Sequence, residues 1–208
     1  MMQDSSLNDI KLIIGIGNPG EEYARTLHNA GKMFVEWRSS DIDANMRINT
    51  NLRIKNSPDS HAFADSHRGE WKTPNKKHFC YIRRDGPTLI TTTTFMNESG
   101  ASVKEALVFF KAKPEEILVV HDESDLALGT YTYSFARGAA GHHGIESIVR
   151  VLGNSNFWRL RIGIRPETGG RRKKAEEFVL KNVSAANLKK LQEAFVQATE
   201  EMPWLKQN

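Results

Sequence analysis

One cysteine in 208 residues excludes an intrachain disulfide, so a hydrophobic core has to hold the fold. No apolar run approaches the roughly 20 residues that a membrane-spanning helix needs, and no membrane partner is expected. The N-terminal MMQDSSLNDIKLIIGIG is acidic ahead of a short apolar stretch, which fits neither a secretory signal nor an Arg-rich transit peptide. These absences point to a reducing, cytoplasmic setting. Internal repeats are lacking. Net charge is small too, 29 Lys and Arg against 25 Asp and Glu, or +4. Charged residues at 26% and hydrophobic ones at 39% are an ordinary globular balance and argue against disorder. The length suits one domain spanning residues 1–208, with 1–10 as a candidate disordered extension.

The charge is unevenly placed. Arg159, Arg161, Arg165, Arg171, Arg172, Lys173 and Lys174 lie close together, with Glu167 the one acid among them. Such a run suits a polyanion such as nucleic acid, and equally suits a solvated loop.

Lys11–Ile16 is a compact apolar run ending in glycines and reads as a buried strand. A helix is expected over Ala24–Ser39, with Ala30, Met33, Phe34 and Trp37 on one face. Residues 45–77 are polar and weakly periodic, with one strand expected near His61–Ser66. Phe79–Arg83 and Thr88–Thr92 flank Asp85-Gly86, a strong turn dipeptide, and read as a hairpin. Asn97–Lys111 reads as a helix with Val103, Leu107 and Phe110 inward. Strands are expected at Glu116–Val120, Thr130–Phe135 and Leu160–Ile164, and a helix at Ile145–Leu152. Ser184 is placed to cap a last helix whose stripe is Leu188, Leu191, Phe195 and Met202. Interleaved strands and helices predict an α/β fold, one main sheet covered by helices. Pro166–Gly170 is the one candidate linker.

Gly15-Ile16-Gly17-Asn18-Pro19-Gly20 satisfies the dinucleotide pattern GxGxxG, and Asp41 and Asp43 lie about where a ribose-binding acid would sit. Glu21 and Glu22, however, would stand where the pyrophosphate docks, and Pro19 stiffens the loop. The turn is better read as presenting Asn18, whose amide can hold a water or a peptide carbonyl, or can merely cap the turn. His28 alone would be read as a packing residue. But strand Ile117–Val120 runs into His121-Asp122-Glu123-Ser124-Asp125, and α/β sheets place their ligand crevice at such strand ends. An aspartate there can take a hydrogen bond from a histidine and fix its tautomer.

A metal-dependent phosphohydrolase would need further ligands, and adjacent imidazoles such as His142 and His143 seldom bind one ion together, so no metal is expected. The G-x-S-x-G nucleophile elbow is missing, and Cys80 sits in an apolar strand pattern as an inert thiol. A hydrolase built from these residues would activate water directly. Asn97 reads either as a helix N-cap or, with Met96, as a residue facing the pocket. Gly138–Gly144 is a small-residue loop, a flexible lid or a close-packing device.

The segments GIGNPGEEYARTLHNAG, TTFMNESG, ILVVHDESDLALG, GHHG and FWRLRIGI, in that order from Leu12 to about Ile164, resemble the bacterial-type peptidyl-tRNA hydrolases. The resemblance implies a single α/β domain with a twisted mixed β-sheet flanked by helices, acting as a monomer. It implies hydrolysis of the ester between peptide and tRNA in peptidyl-tRNA, with no metal or organic cofactor. On the matching positions His28 is the catalytic base and Asp122 its orienting partner. Asn18 and Asn97 are the amides holding water and substrate backbone. Tyr23 is the ring near the tRNA 3′ end, Met96 lines the peptide channel, and Arg161 contacts a tRNA phosphate. His142 and His143 belong to the substrate-binding loop. The chain departs from the pattern at His143, where the family has asparagine, and at Ser134, where it has a phosphate-binding lysine. It departs also at Ala139 and Ala140, which stand for a histidine and a glycine. Two other readings remain: a catalytically weakened RNA-binding relative of this fold, akin to organellar splicing factors, and an unrelated nucleotide-binding α/β enzyme.

Overall fold

The computed structural model describes residues 6–40, 70–83, 86–166 and 174–202. The strand expected near His61–Ser66, Asp85, Asp41 and Asp43, nearly all of the candidate linker, and Arg171–Lys173 lie outside the described residues. Strand β1 (Leu12–Gly15) is buried on both faces, as its unbroken apolar run requires. It pairs in parallel with β3 (Thr88–Thr92) on one side and β4 (Ile117–Ala127) on the other. Beyond these lie β2 (Phe79–Ile82), antiparallel to β3, and β6 (Trp158–Arg165), parallel to β4. The last, β5 (Tyr131–Phe135), is antiparallel to β6. The order is β2-β3-β1-β4-β6-β5: four parallel strands closed at each edge by an antiparallel one, a mixed six-stranded sheet in one α/β domain.

Alternation along the strands sorts the core into two layers. Ile13, Leu118, Val120, Leu160, Ile162 and Ile164 meet helices α1 (Ala30–Ser39) and, further along the chain, α4 (Ala185–Glu200). Leu12, Ile14, Ile90, Ile117 and Val119 meet α2 (Ser99–Phe110) and α3 (His143–Leu152) on the opposite face. Among the described residues no helix is long and apolar enough to cross a membrane.

Several boundaries differ from expectation for identifiable reasons. The first helix starts at Ala30, not Ala24. Residues 25–28 bond instead to the chain near the C-terminus: Leu27 N–H donates to Lys181, His28 N–H to Val179, and Arg25 accepts from Val183 N–H. The segment before α1 is therefore a run of turns, an extended residue at Thr26 and then a 3₁₀ turn, Leu27–Asn29. Asn97 lies inside another 3₁₀ turn, Met96–Glu98, and does not cap α2. Within the expected N-terminal extension, Leu7–Asp9 form a 3₁₀ turn capped by Ser6, and Ile10 is buried. Ser184 caps α4 as expected, its Oγ accepting from Asn187 N–H.

Two features deliver side chains to the carboxyl ends of β1 and β4. A side chain on Gly31 would overlap the Val120 carbonyl, and one on Gly15 the Gly31 carbonyl, so α1 starts in backbone contact with both strands. And β1 stops opposite Val120 while β4 continues, leaving one side of His121 and Asp122 open to the turn that carries His28.

Candidate active site

That turn brings His28 to Asp122 across 94 residues of sequence: His28 Nδ1–H donates to Asp122 Oδ1 at 2.9 Å. The same oxygen accepts from His142 Nε2–H at 2.8 Å. The protons can be assigned from the surrounding donors. His142 is the residue before α3, and its Nδ1 accepts from the N–H groups of Gly144 (3.1 Å) and Ile145 (3.3 Å). Its proton therefore sits on Nε2 and points at Asp122. His28 likewise turns its Nδ1 proton to Asp122, which leaves Nε2 with a free lone pair. The His28 side chain is 16% exposed and Asp122 3%, so the imidazole reaches solvent while its partner does not.

Electrostatics follow from this geometry. Burial pushes the His28 pKa down, but the charge of Asp122 and its hydrogen bond outweigh that, and the net shift is upward. Burial pushes Asp122 up, yet His142 and His28 together hold its carboxyl far below the usual range. His121 is buried behind the pair, donates from Nδ1 to the Asp122 carbonyl at 2.7 Å, and packs edge-on against His142 with ring centroids 4.7 Å apart. Burial first, and His142 next, keep its pKa well below the ordinary imidazole value, so it stays neutral.

His28, Asp122 and His142 offer ligand atoms within 4.8 Å of one another. On distance alone they would suit a divalent ion. The donor set does not: a metal on His142 Nε2 would need the proton on Nδ1, facing two backbone N–H groups. These three side chains form an acid–base cluster held by its own hydrogen bonds.

Asn18 lies in the loop after β1. Its Oδ1 accepts from Met96 N–H at 2.8 Å. A backbone N–H can only donate, so the amide orientation is set and Nδ2 carries the free donors. Asn29 grips the Asn18 backbone: Oδ1 accepts from Asn18 N–H at 2.8 Å, and Nδ2 donates to Asn18 O at 2.9 Å. Met96 is buried, and a side chain on Gly144 would overlap it and Ile16, which fixes how closely α3 approaches. Tyr23 stands edge-on to Phe95 at 6.4 Å, and Phe95 is half exposed, giving an aromatic rim next to Met96. Asn97 is exposed on the same 3₁₀ turn.

The glycine loop that matches GxGxxG leads into turns, with the helix beginning only at Ala30, so it offers no helix N-terminus to a pyrophosphate. His143 is apart from the cluster: its side chain is 77% exposed and pairs with Glu146 at 3.2 Å. The turn into α3 aims His142 inward and the next residue outward, so the structure does not bring His143 to His28 and Asp122.

The described part of the basic run begins on a strand. Arg159 and Arg161 are buried, on β6 positions alternating with Leu160 and Ile162. Arg161 Nε and Nη2 both donate to Glu123 Oε2, at 3.0 and 2.8 Å. Arg165 donates to Asp125 at 3.0 Å. Arg159 donates to the Gly138 carbonyl, and burial, then Arg161 and Arg137, bring its pKa down to about 10. Ser134 faces Arg159 across β5 and β6, its hydroxyl buried.

Sequence reasoning missed Asn29, Glu123 and the inward role of His142. Asn29 directly follows the histidine singled out, and Glu123 directly follows the aspartate; adjacency was the available signal.

Known proteins resemble this chain over nearly its whole length. The family model described as peptidyl-tRNA hydrolase matches residues 12–208. A peptidyl-tRNA hydrolase of Haemophilus influenzae is 37% identical over 195 residues, covering 93% of this chain and 89% of that one. One from Neisseria meningitidis is 33% identical over 204 residues, covering 94% and 90%. The crystal structure of peptidyl-tRNA hydrolase from Acinetobacter baumannii superimposes with a TM-score of 0.65 at 30% identity, covering 98% of each chain.

Proposed function

The chain belongs to the peptidyl-tRNA hydrolase family, and we propose that it hydrolyses the ester joining a peptide to the tRNA 3′ ribose with His28 as the base. One observation carries the assignment: Asp122 holds the Nδ1 proton of His28, so Nε2 is free to take a proton from water. The ester is already activated, and no covalent enzyme intermediate is needed. Water attacks the ester carbonyl as His28 Nε2 accepts its proton. Negative charge gathers on the carbonyl oxygen, and the Asn18 Nδ2 donors receive it in this reading. The imidazolium then returns its proton to the departing ribose oxygen, giving peptide carboxylate and tRNA. General-base help supplies about 10²–10⁴-fold, and an oxyanion donor about 10²–10³-fold. Asp122 stabilises the imidazolium by the same attraction that raises the His28 pKa.

The remaining assignments are carried by placement. Tyr23, with Phe95, forms a rim for the tRNA 3′ end, and Met96 and Asn97 line the peptide side. His142 locks Asp122 rather than touching substrate. Arg161 meets a tRNA phosphate only by sharing or exchanging Glu123, which sets a cost on that contact. Binding the peptide amide separates peptidyl from free aminoacyl substrates, since a charged amine does not reproduce that bond. The enzyme acts as a cytoplasmic monomer that recycles tRNA, and needs no metal.

The test is release of N-acetyl-amino acid from N-acetyl-aminoacyl-tRNA, with and without EDTA. The unmodified chain is expected to turn over in both conditions. His28→Ala is expected to lose on the order of 10²-fold or more in rate while keeping tRNA affinity. Near-normal turnover by that variant would make His28 structural; loss of activity in EDTA would reinstate a metal.

A further inference from the structure

Asparagine is favoured before a helix because its side-chain oxygen can take a free N–H of the first turn. Asn29 holds that position before α1 and makes no such bond. Its carboxamide, 1% exposed, turns the other way and closes two hydrogen bonds onto one residue, Asn18, at both the N–H and the carbonyl. Lys32 Nζ reaches the same carbonyl at 3.5 Å. The consequence reaches the Asn18 side chain. With its peptide pinned on both sides, Asn18 directs Oδ1 to Met96 N–H, and Nδ2 is the end of the amide left to donate. Release of the Asn29 grip would let the loop after β1 rotate, and the same amide could then offer its oxygen, an acceptor that repels a developing oxyanion. Asn29 is also covalently next to His28. One 3₁₀ turn therefore mounts the base on one residue and fixes the donor through the next.

We propose that Asn29 is a positioning residue for the hydrolysis: it locks the Asn18 peptide in the setting that presents Nδ2 to the reacting carbonyl, in register with His28. The inference rests on the reaction proposed above. A residue that only fills a buried polar site would affect folding; one that acts through Asn18 has a different kinetic signature.

The experiment is a double-mutant cycle with Asn18→Ala, Asn29→Ala and the pair, measured as kcat and KM on N-acetyl-aminoacyl-tRNA across pH, with circular dichroism to count folded protein. Each single variant is expected to lose on the order of 10²-fold in kcat, the loss that follows removal of an oxyanion donor. KM should stay within about threefold, since an interaction made mainly in the transition state is removed. The pair should be no slower than Asn18→Ala alone, because once the donor is gone its mount has nothing left to set. The acid limb of the pH profile should not move, because the His28–Asp122 bond is untouched. Losses that multiply in the pair, or an Asn29→Ala rate within about threefold of the unmodified enzyme, would overturn the proposal. Should Asn29→Ala fail to fold, Asn29→Asp carries the same cycle: it keeps an acceptor for Asn18 N–H and sets an oxygen against Asn18 O. Its kcat loss should vanish in the Asn18→Ala background; a loss that persists there refutes the positioning role. An unmodified chain without hydrolase activity would instead refute the function itself.

Discussion

Asp122→Asn separates two contributions that a carboxylate makes to a histidine base, its charge and its control of the tautomer. The carboxylate accepts hydrogen bonds from His28 at 2.9 Å and from His142 at 2.8 Å on a single oxygen. An asparagine oxygen in that place can accept both. The flipped amide would aim N–H groups at two N–H donors, and His142 cannot adapt, since its Nδ1 is committed to the start of α3. The substituted amide should therefore settle with its oxygen inward, and His28 should keep Nε2 free. What is lost is charge. Two unit charges about 4 Å apart interact by ~4 kcal/mol at an effective dielectric of 20, a ceiling on what Asp122 gives the forming imidazolium. With general-base catalysis worth about 10²–10⁴-fold in all, the expected fall in plateau rate is a part of that, on the order of tenfold, and smaller than the loss in His28→Ala.

The pH dependence has a definite sign. The His28 pKa lies above its ordinary value of 6.5, and the neutral base exists only above that raised pKa, so activity rises as pH increases through it. With Asp122 neutralised, the downward push of burial is left unopposed. The acid limb should move to lower pH, below about 6.5, while the plateau drops. Single-turnover rates on N-acetyl-aminoacyl-tRNA from about pH 5 to 9 read both changes. A limb that stays or moves upward would show that Asp122 does not hold the His28 proton. A plateau as low as that of His28→Ala would show that the amide flips and the tautomer argument fails.

Three further substitutions test Arg161, Glu123 and His143. Arg161→Ala leaves Glu123 buried without its partner and should destabilise the fold by about 3–5 kcal/mol, whereas Glu123→Gln should free the guanidinium and tighten tRNA binding with a steeper salt dependence. Thermal melts and tRNA affinity against salt read both; unchanged stability in Arg161→Ala would mean that the pair is not the anchor its geometry describes. His143→Asn should leave the rate within about twofold and the pH profile unmoved, because that side chain is exposed and away from the cluster. A profile that flattens on substitution would place His143 in the reaction after all.

The strands were legible because their signal is local: an unbroken or alternating apolar run such as Leu12–Ile14 or Ile117–Val120 says by itself that both faces are covered. The hairpin strands at Phe79–Ile82 and Thr88–Thr92 were legible for the same reason. The start of α1 was not, because the N–H groups of Leu27 and His28 are taken by residues near 180, and no window of local sequence contains that competitor. The candidate site divides the same way. His28, Asp122 and Asn18 were singled out by residue type, by Asp122's place after a buried strand and by the family resemblance, and the structure brings His28 to Asp122. The part that decides their chemistry was hidden: which imidazole nitrogen carries the proton depends on the N–H groups of Gly144 and Ile145, and which end of the Asn18 amide faces the pocket depends on Met96.

The basic run shows how composition and geometry give different answers from the same residues. Counted along the chain, Arg159, Arg161 and Arg165 make a patch. Taken with period two, Trp158–Arg165 is a strand whose Leu160, Ile162 and Ile164 face one core layer. Its arginines must then face the other side of the sheet. Arg159 and Arg161 are buried on that side too, and a charge there has to find a partner or bear the cost of burial. Glu123 on the neighbouring strand answers Arg161 with two hydrogen bonds, while Arg159 makes do with the Gly138 carbonyl and a lowered pKa. A charged residue on an interior strand is therefore evidence first about what lies across from it. Any contact it makes with a tRNA phosphate has to be won from that neighbour, and for this reason Glu123→Gln is expected to strengthen binding rather than weaken it.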